Sequence, residues 1–155
     1  MNIAAASFGF SVSRAFLNVK SEEKDVEFED GEYFVKKGKL IKVEITIESK
    51  YDRYNVAVVD RLPAGLEAEN TALKTHVPMP GEKEEEKKDS WFEHQNLLDQ
   101  RVECFASKIT AGTYKYVYFA RATTPGVFNV PPAKAEEMYR PQVYGRSCST
   151  RMTIN

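Results

Sequence analysis

The chain has 155 residues, 42% of them hydrophobic, and 22 Lys and Arg against 23 Asp and Glu leave a net charge of −1. That length holds one ordinary domain with a real core, and the composition excludes a disordered charged tail. The charge lacks the basic footprint of a nucleic-acid binder, and no run approaches the ~18 apolar residues of a membrane span, so neither nucleic acid nor direct membrane insertion is expected. The stretch Asn2 to Ser13 is uncharged but broken by Ser7, Gly9, Ser11 and Ser13, with no basic residue before it. It reads as neither signal peptide nor anchor.

The dominant period along the chain is two. Strands are expected at Phe10 to Val19, then at Leu40 to Glu48, where Ile41, Val43, Ile45 and Ile47 alternate with Lys42, Glu44, Thr46 and Glu48. Such alternation marks a half-buried strand with one wet side. Further strands follow at Tyr54 to Leu62, Arg101 to Ser107, Thr113 to Thr123 and Gly145 to Ile154. Trp91 to Leu97 is a weaker candidate, and Tyr33 to Val35 a short edge strand. Asp30-Gly31, Lys37-Gly38, Pro63-Ala64-Gly65, Ala111-Gly112 and Pro125-Gly126 punctuate these runs as turns. About seven short strands so spaced predict an all-β, antiparallel β-sandwich.

Two stretches break the pattern. Residues 78–90 contain Glu82-Lys83-Glu84-Glu85-Glu86-Lys87-Lys88-Asp89 after Pro78-Met79-Pro80-Gly81. The near-cancelling charge reads as a flexible, solvated loop rather than a docking site. Between Pro131 and Pro141, Ala133 to Met138 has room for one short helical turn before the last strand. Long structured connections carry function more often than hairpin turns do. Within this one, Met138 and Tyr139 either plug their own sandwich or present an apolar tip to a partner.

Catalytic and metal-binding sets are missing from the sequence. Cys104 and Cys148 are too few and too far apart for a zinc site or a redox pair, and both fall on inward-facing positions as free thiols or a bridge. His76 and His94 have no ligand spacing. Glu136 and Glu137, as neighbours, diverge on a helix or a strand and do not converge on one bond. Tyr114, Tyr116 and Tyr118 line one strand face, read as packing rather than as a ligand platform. No enzyme and no cofactor are expected.

Several motifs occur in a particular order: Asp60-Arg61-Leu62-Pro63-Ala64-Gly65-Leu66-Glu67, Trp91-Phe92-Glu93-His94, Asp99-Gln100-Arg101-Val102 and Ala111-Gly112-Thr113-Tyr114. Then come Arg121-Ala122-Thr123-Thr124-Pro125-Gly126-Val127-Phe128, Val130-Pro131-Pro132-Ala133 and Ala135 through Ser147. Over about residues 57 to 150 this order resembles the last macroglobulin-like domain of bacterial α-macroglobulins, while the first fifty residues fit only as generic strands. The resemblance implies a non-catalytic sandwich near the carboxyl end of a much longer, periplasmic or cell-surface protease trap. In that family many members carry an activated Cys–Gln thioester. The Cys-Glu-Gln motif of the thioester is absent here, since Phe105 follows Cys104 and Ser149 follows Cys148. The implied partners are the other domains of the parent chain, above all the thioester domain, and target proteases through the intact parent. The implied contact residues are Glu136, Glu137, Met138, Tyr139, Arg140 and Tyr144, with Met138 and Tyr139 excluding water from the thioester. A free-standing immunoglobulin-like adhesion or scaffold module is the alternative, because the same strands would serve it.

Overall fold

The computed structural model describes residues 3–20, 22–69 and 91–155. The charged stretch expected to form a loop at 78–90, and His76, lie outside the described residues. Among the described residues there are fourteen strands and no helix: β1 (Ala6–Phe8), β2 (Ser11–Asn18), β3 (Val26–Glu29), β4 (Glu32–Val35), β5 (Leu40–Ser49), β6 (Arg53–Arg61) and β7 (Leu66–Glu69), then β8 (His94–Leu97), β9 (Arg101–Ile109), β10 (Gly112–Ala122), β11 (Gly126–Val130), β12 (Ala133–Glu137), β13 (Arg140–Arg146) and β14 (Thr150–Ile154). They form a six-stranded sheet ordered β1-β13-β12-β6-β9-β8 and two four-stranded sheets, β2-β5-β10-β7 and β11-β14-β4-β3. The result is a β-sandwich with a third small sheet.

The register follows the alternation in the sequence. Ile41, Val43, Ile45 and Ile47 on β5 are fully buried, and Glu44 on the other face pairs with Lys115 of β10 at 3.1 Å. They meet Val56 and Val58 of β6, Val102, Cys104 and Ala106 of β9, and Phe10, Val12 and Phe16 in one hydrophobic cluster. Burial of this continuous apolar face is the main driving force for the fold. The tyrosine stripe belongs to the same architecture. Tyr116 donates to Gln95 Oε1 (2.6 Å), Tyr118 to Asp60 Oδ2 (2.5 Å) and Tyr114 to the Thr110 carbonyl (2.8 Å), so each hydroxyl has a partner. On the opposite face of β10, Arg121 is half-exposed and donates to Glu69 Oε1 and the Gly38 carbonyl.

Five expectations need correction. Where about seven strands were expected, the described residues hold fourteen, because the connections between the longer strands form short strands of their own. The segment Ala133 to Met138 is not a helical turn. Its small residues Ala133 and Ala135 and the carboxyl-bearing Glu137 all point inward with period two, and β12 pairs with β6 on one side and β13 on the other. The single run from Gly145 to Ile154 is two strands. Ser147 leaves the six-stranded sheet, its Oγ accepting from Ala133 N at 2.9 Å, and β14 then joins the third sheet. There β14 runs parallel to β4, the one parallel pair among the named strands, which also makes β4 an internal rather than an edge strand. Cys148 follows the alternation of β13 rather than that of β14 and is therefore exposed, while Cys104 is buried; both are free thiols.

A polar link crosses the core. Arg14 keeps the inward parity of Val12 and Phe16, and its Nη1 lies 2.5 Å from Asp60 Oδ1, with both side chains almost completely buried. Asp60 sits on β6 and Tyr118 on β10, so the link ties two sheets together. Burial raises the Asp60 carboxyl above its ordinary range, against the opposing pull of the Arg14 guanidinium and the Tyr118 hydroxyl. The Tyr118 hydroxyl is likewise raised by burial and by the neighbouring carboxylate.

The buried acids give the fold a predictable alkaline limit. Burial pushes the Cys104 thiol up to about 12 from its ordinary 9.0, and Tyr116 and Tyr118 are raised as well. A raised acid holds its proton longer in the folded chain, so its stabilisation is complete below the unfolded pKa and is lost as pH rises through the folded one. The melting temperature is therefore expected to fall steeply between about pH 9 and pH 12. Cys104→Ala should make that fall shallower than in the parent chain. Equal slopes in the two melting series would contradict the assignment to the thiol.

Candidate functional site

The segment singled out by its flanking prolines is a β-hairpin whose turn is Met138-Tyr139. Two-residue hairpins favour turns with positive φ, which match the strand twist. Among the described non-glycine residues only Asp30 and Asn55 have positive φ, so this turn is of the other hand. The mismatch is taken up by a register shift: Glu136 pairs with Tyr144, but Glu137 pairs with Arg140. Pro141, which has no N–H to offer, falls in that bulge.

The hairpin is held from below. Met138 N donates to the Asn55 carbonyl at 2.8 Å, fixing the turn to β6. Glu137 is only 4% exposed, and its Oε1 lies 3.4 Å from Arg53 Nη1. Arg53 also donates to Ser49 Oγ (3.3 Å) and the Gly9 carbonyl (3.4 Å) and stacks over the rings of Phe10 and Tyr51. Gly9 has φ +111°, and a Cβ there would meet Val143 Cγ1 at 2.7 Å and Arg53 Nη2 at 3.0 Å. The base of the hairpin is therefore tightly packed around one guanidinium.

Above that base the tip stands free. Met138 is 43% and Tyr139 81% exposed, and Arg140 is exposed beside them, so neither large side chain plugs its own sandwich. Of the six residues singled out, the structure gathers Glu137, Met138, Tyr139 and Arg140 at the turn. It separates Glu136 and Tyr144, which pair on the sheet's outer face: Glu136 lies 3.4 Å from Lys134 Nζ, and Tyr144 packs on Phe8 and under Lys134. Sequence reasoning missed Arg53, Asn55 and Gly9, whose roles depend on strand pairings across more than eighty residues. The local hint was a charged pair between two aromatic residues in Tyr51-Asp52-Arg53-Tyr54.

The two neighbouring glutamates do not converge at the tip. The carboxylates of Glu136 and Glu137 belong to opposite strand faces, and each has a basic partner. Among the described residues no group of three or more His, Cys, Asp or Glu is placed to hold a metal ion. What the hairpin offers is a small, rigid, amphipathic knob.

The sheet arrangement is that of a macroglobulin-type sandwich. Trypsin-activated α2-macroglobulin from Escherichia coli superposes with a TM-score of 0.80 at 24% identity, over 99% of this chain and 11% of that one. The native E. coli protein from its MG7 domain to the C-terminus gives 0.77 at 24% identity, over 97% of this chain and 24% of that one. The family of the bacterial α2-macroglobulin MG10 domain matches residues 9–142, and the chain belongs to that family. Among curated relatives, α2-macroglobulin of Xylella fastidiosa is 33% identical over 72% of this chain, and that of E. coli 34% identical over 70%. Circularly permutated Ras protein 2 of Dictyostelium discoideum is 35% identical over 88% of this chain. The chain spans only 3% of that protein and 7% of the two bacterial ones. The family match also corrects the limits of the resemblance, expected over about residues 57 to 150: it reaches back over β2 to β5, in the first fifty residues expected to fit only as generic strands, and ends within β13.

Proposed function

We propose that this chain is a non-catalytic module of an α2-macroglobulin-type protease trap outside the cytoplasm, and that its β12–β13 tip packs against the thioester-bearing domain of the same polypeptide. The observation that carries this reading is the exposed Met138-Tyr139 pair on a base fixed by Arg53 and Glu137. A reactive acyl bond survives in water only where apolar groups exclude solvent. Met138 offers a flexible, polarizable side chain and Tyr139 a large ring with a polar rim. The fixed base means that little conformational entropy is lost when the tip docks. Target proteases would meet the intact parent rather than this module.

Two assays on the chain alone bear on this reading. It should neither hydrolyse peptides nor inhibit trypsin or chymotrypsin; stoichiometric inhibition would show a substrate-like loop at work. Met138→Ala together with Tyr139→Ala should leave the melting midpoint nearly unchanged. A loss of several kcal/mol, as for large-to-small changes in a core, would return both side chains to a packing role. A second reading, a scaffold module outside any protease trap, has the Dictyostelium relative in its favour, since that protein bears a Ras-type name. A thioester motif on the same polypeptide as this module decides between the two.

A further inference from the structure

The tip is one corner of a larger exposed end-face. The turn is tied to β6 through the Met138 N–H and the Asn55 carbonyl; Tyr54 precedes Asn55 on that strand and is the register partner of Lys108 on β9. Lys108 Nζ lies 5.7 Å from the centre of the Tyr54 ring. On the other side, Arg53 bridges Glu137 to Tyr51, stacking 5.6 Å from the Tyr51 ring centre. Tyr51 is 69% and Tyr54 52% exposed, so with Tyr139 three tyrosines stand out around the Arg53–Glu137 pair. Tyrosines on rigid backbone are favoured anchors of protein interfaces, because they supply large amphipathic area with few rotatable bonds.

The charge of this face is predominantly positive. Lys50, Lys108 and Arg140 are exposed and have no carboxylate partner among the described residues. Against them stands the exposed Asp52 carboxylate, which accepts from the Ala111 N–H at 3.0 Å, while Glu137 is matched by Arg53. Three unpaired cations around three exposed tyrosines call for an acidic, partly apolar counter-surface.

We propose that the docking surface extends beyond the hairpin tip to Tyr51, Tyr54 and Lys108, and that it receives an acidic face of the adjoining thioester-bearing domain. This rests on the reading that the tip is an inter-domain contact and adds its extent and the chemistry of its partner. The length of the relatives argues for an intramolecular occupant, since more than nine-tenths of the α2-macroglobulin relatives lies outside the part this chain matches. A rim of unpaired cations on this side sets the orientation of docking, whereas the apolar tip alone would not.

Hydroxyl-radical footprinting of the full-length parent, compared with the 155-residue chain alone, tests this. Oxidation of Tyr51, Tyr54 and Tyr139 is expected to drop at least threefold together in the full-length protein. Lys108→Glu should restore oxidation of Tyr51 and Tyr54 several-fold in the full-length protein at low salt, while leaving the melting of the chain alone unchanged. Protection of Tyr139 without Tyr51 and Tyr54 would overturn the extended surface and leave the tip contact standing. Absence of protection at all three would overturn both. Protection that Lys108→Glu does not disturb would overturn the acidic partner.

Discussion

Asp60→Ala is expected to destabilise the fold by about 3–5 kcal/mol, because it strands the Arg14 guanidinium inside the sandwich. Arg14 and Asp60 are both nearly inaccessible to solvent, and Asp60 is also the acceptor for the Tyr118 hydroxyl. One substitution thus leaves a buried cation and a buried donor without partners, and the cost of each unmet group exceeds what the contact itself contributes. Arg14→Met combined with Asp60→Leu and Tyr118→Phe should be far milder than Asp60→Ala alone, since a well-packed apolar replacement leaves nothing unpaired. Urea unfolding of the two variants measures this. A triple variant less stable than Asp60→Ala would mean the polar link is itself a net source of stability.

Gly145→Ala is expected to cost at least about 3 kcal/mol or to prevent folding, for a different reason. A Cβ at position 145 would lie 2.1 Å from the Phe10 carbonyl oxygen and 2.7 Å from its carbon. The obstruction is backbone, so rotation of a side chain cannot relieve it. Here the chain between β1 and β2 passes directly over β13, and Phe10 is driven into the core at that crossing. The variant should be recovered as insoluble protein or with a sharply lowered melting temperature. A midpoint within a few degrees of the parent chain would show that the crossing is looser than the structure has it. By contrast, alanine at Gly31 or Gly38 meets no neighbouring atom and is disfavoured only by its positive φ.

The elements legible in the sequence were those whose environment has two sides. β5 declares itself because Ile41, Val43, Ile45 and Ile47 face a core while Lys42, Glu44 and Glu48 face water, and its partner β10 carries its tyrosines in the same register. β12 was misread for a physical reason. Ala133, Ala135 and Glu137 are its inward residues, two of them good helix formers with little apolar bulk, and flanking prolines suit a short helix as well as a strand. Its strand character is imposed by β6 and β13 on either side, which is tertiary context and not propensity. Cys148 was misplaced because the irregular stretch Ser147 to Ser149 separates it from β14. It follows the alternation of β13, where Gly145 and Ser147 face in, and the parity shifts before Met152 and Ile154, which are buried.

The site was legible in part. Two large side chains in a short proline-flanked segment were enough to mark Met138 and Tyr139. Their foundation was not, because Arg53 reaches Glu137 across 84 residues of sequence and Gly9 across 44. Arg14 and Asp60 were equally silent: each sits in an otherwise ordinary strand, and only the pairing of β2 and β6 with their sheets brings the two charges together.

The most direct test of the account is the lifetime of the thioester in a full-length parent carrying Met138→Ala and Tyr139→Ala. Amine-reactive thioester would be followed by labelling with methylamine over hours in the absence of protease. Loss at least tenfold faster than in the unmodified parent is expected, with the melting of this domain unchanged. An unaltered lifetime, with the domain intact, would contradict it.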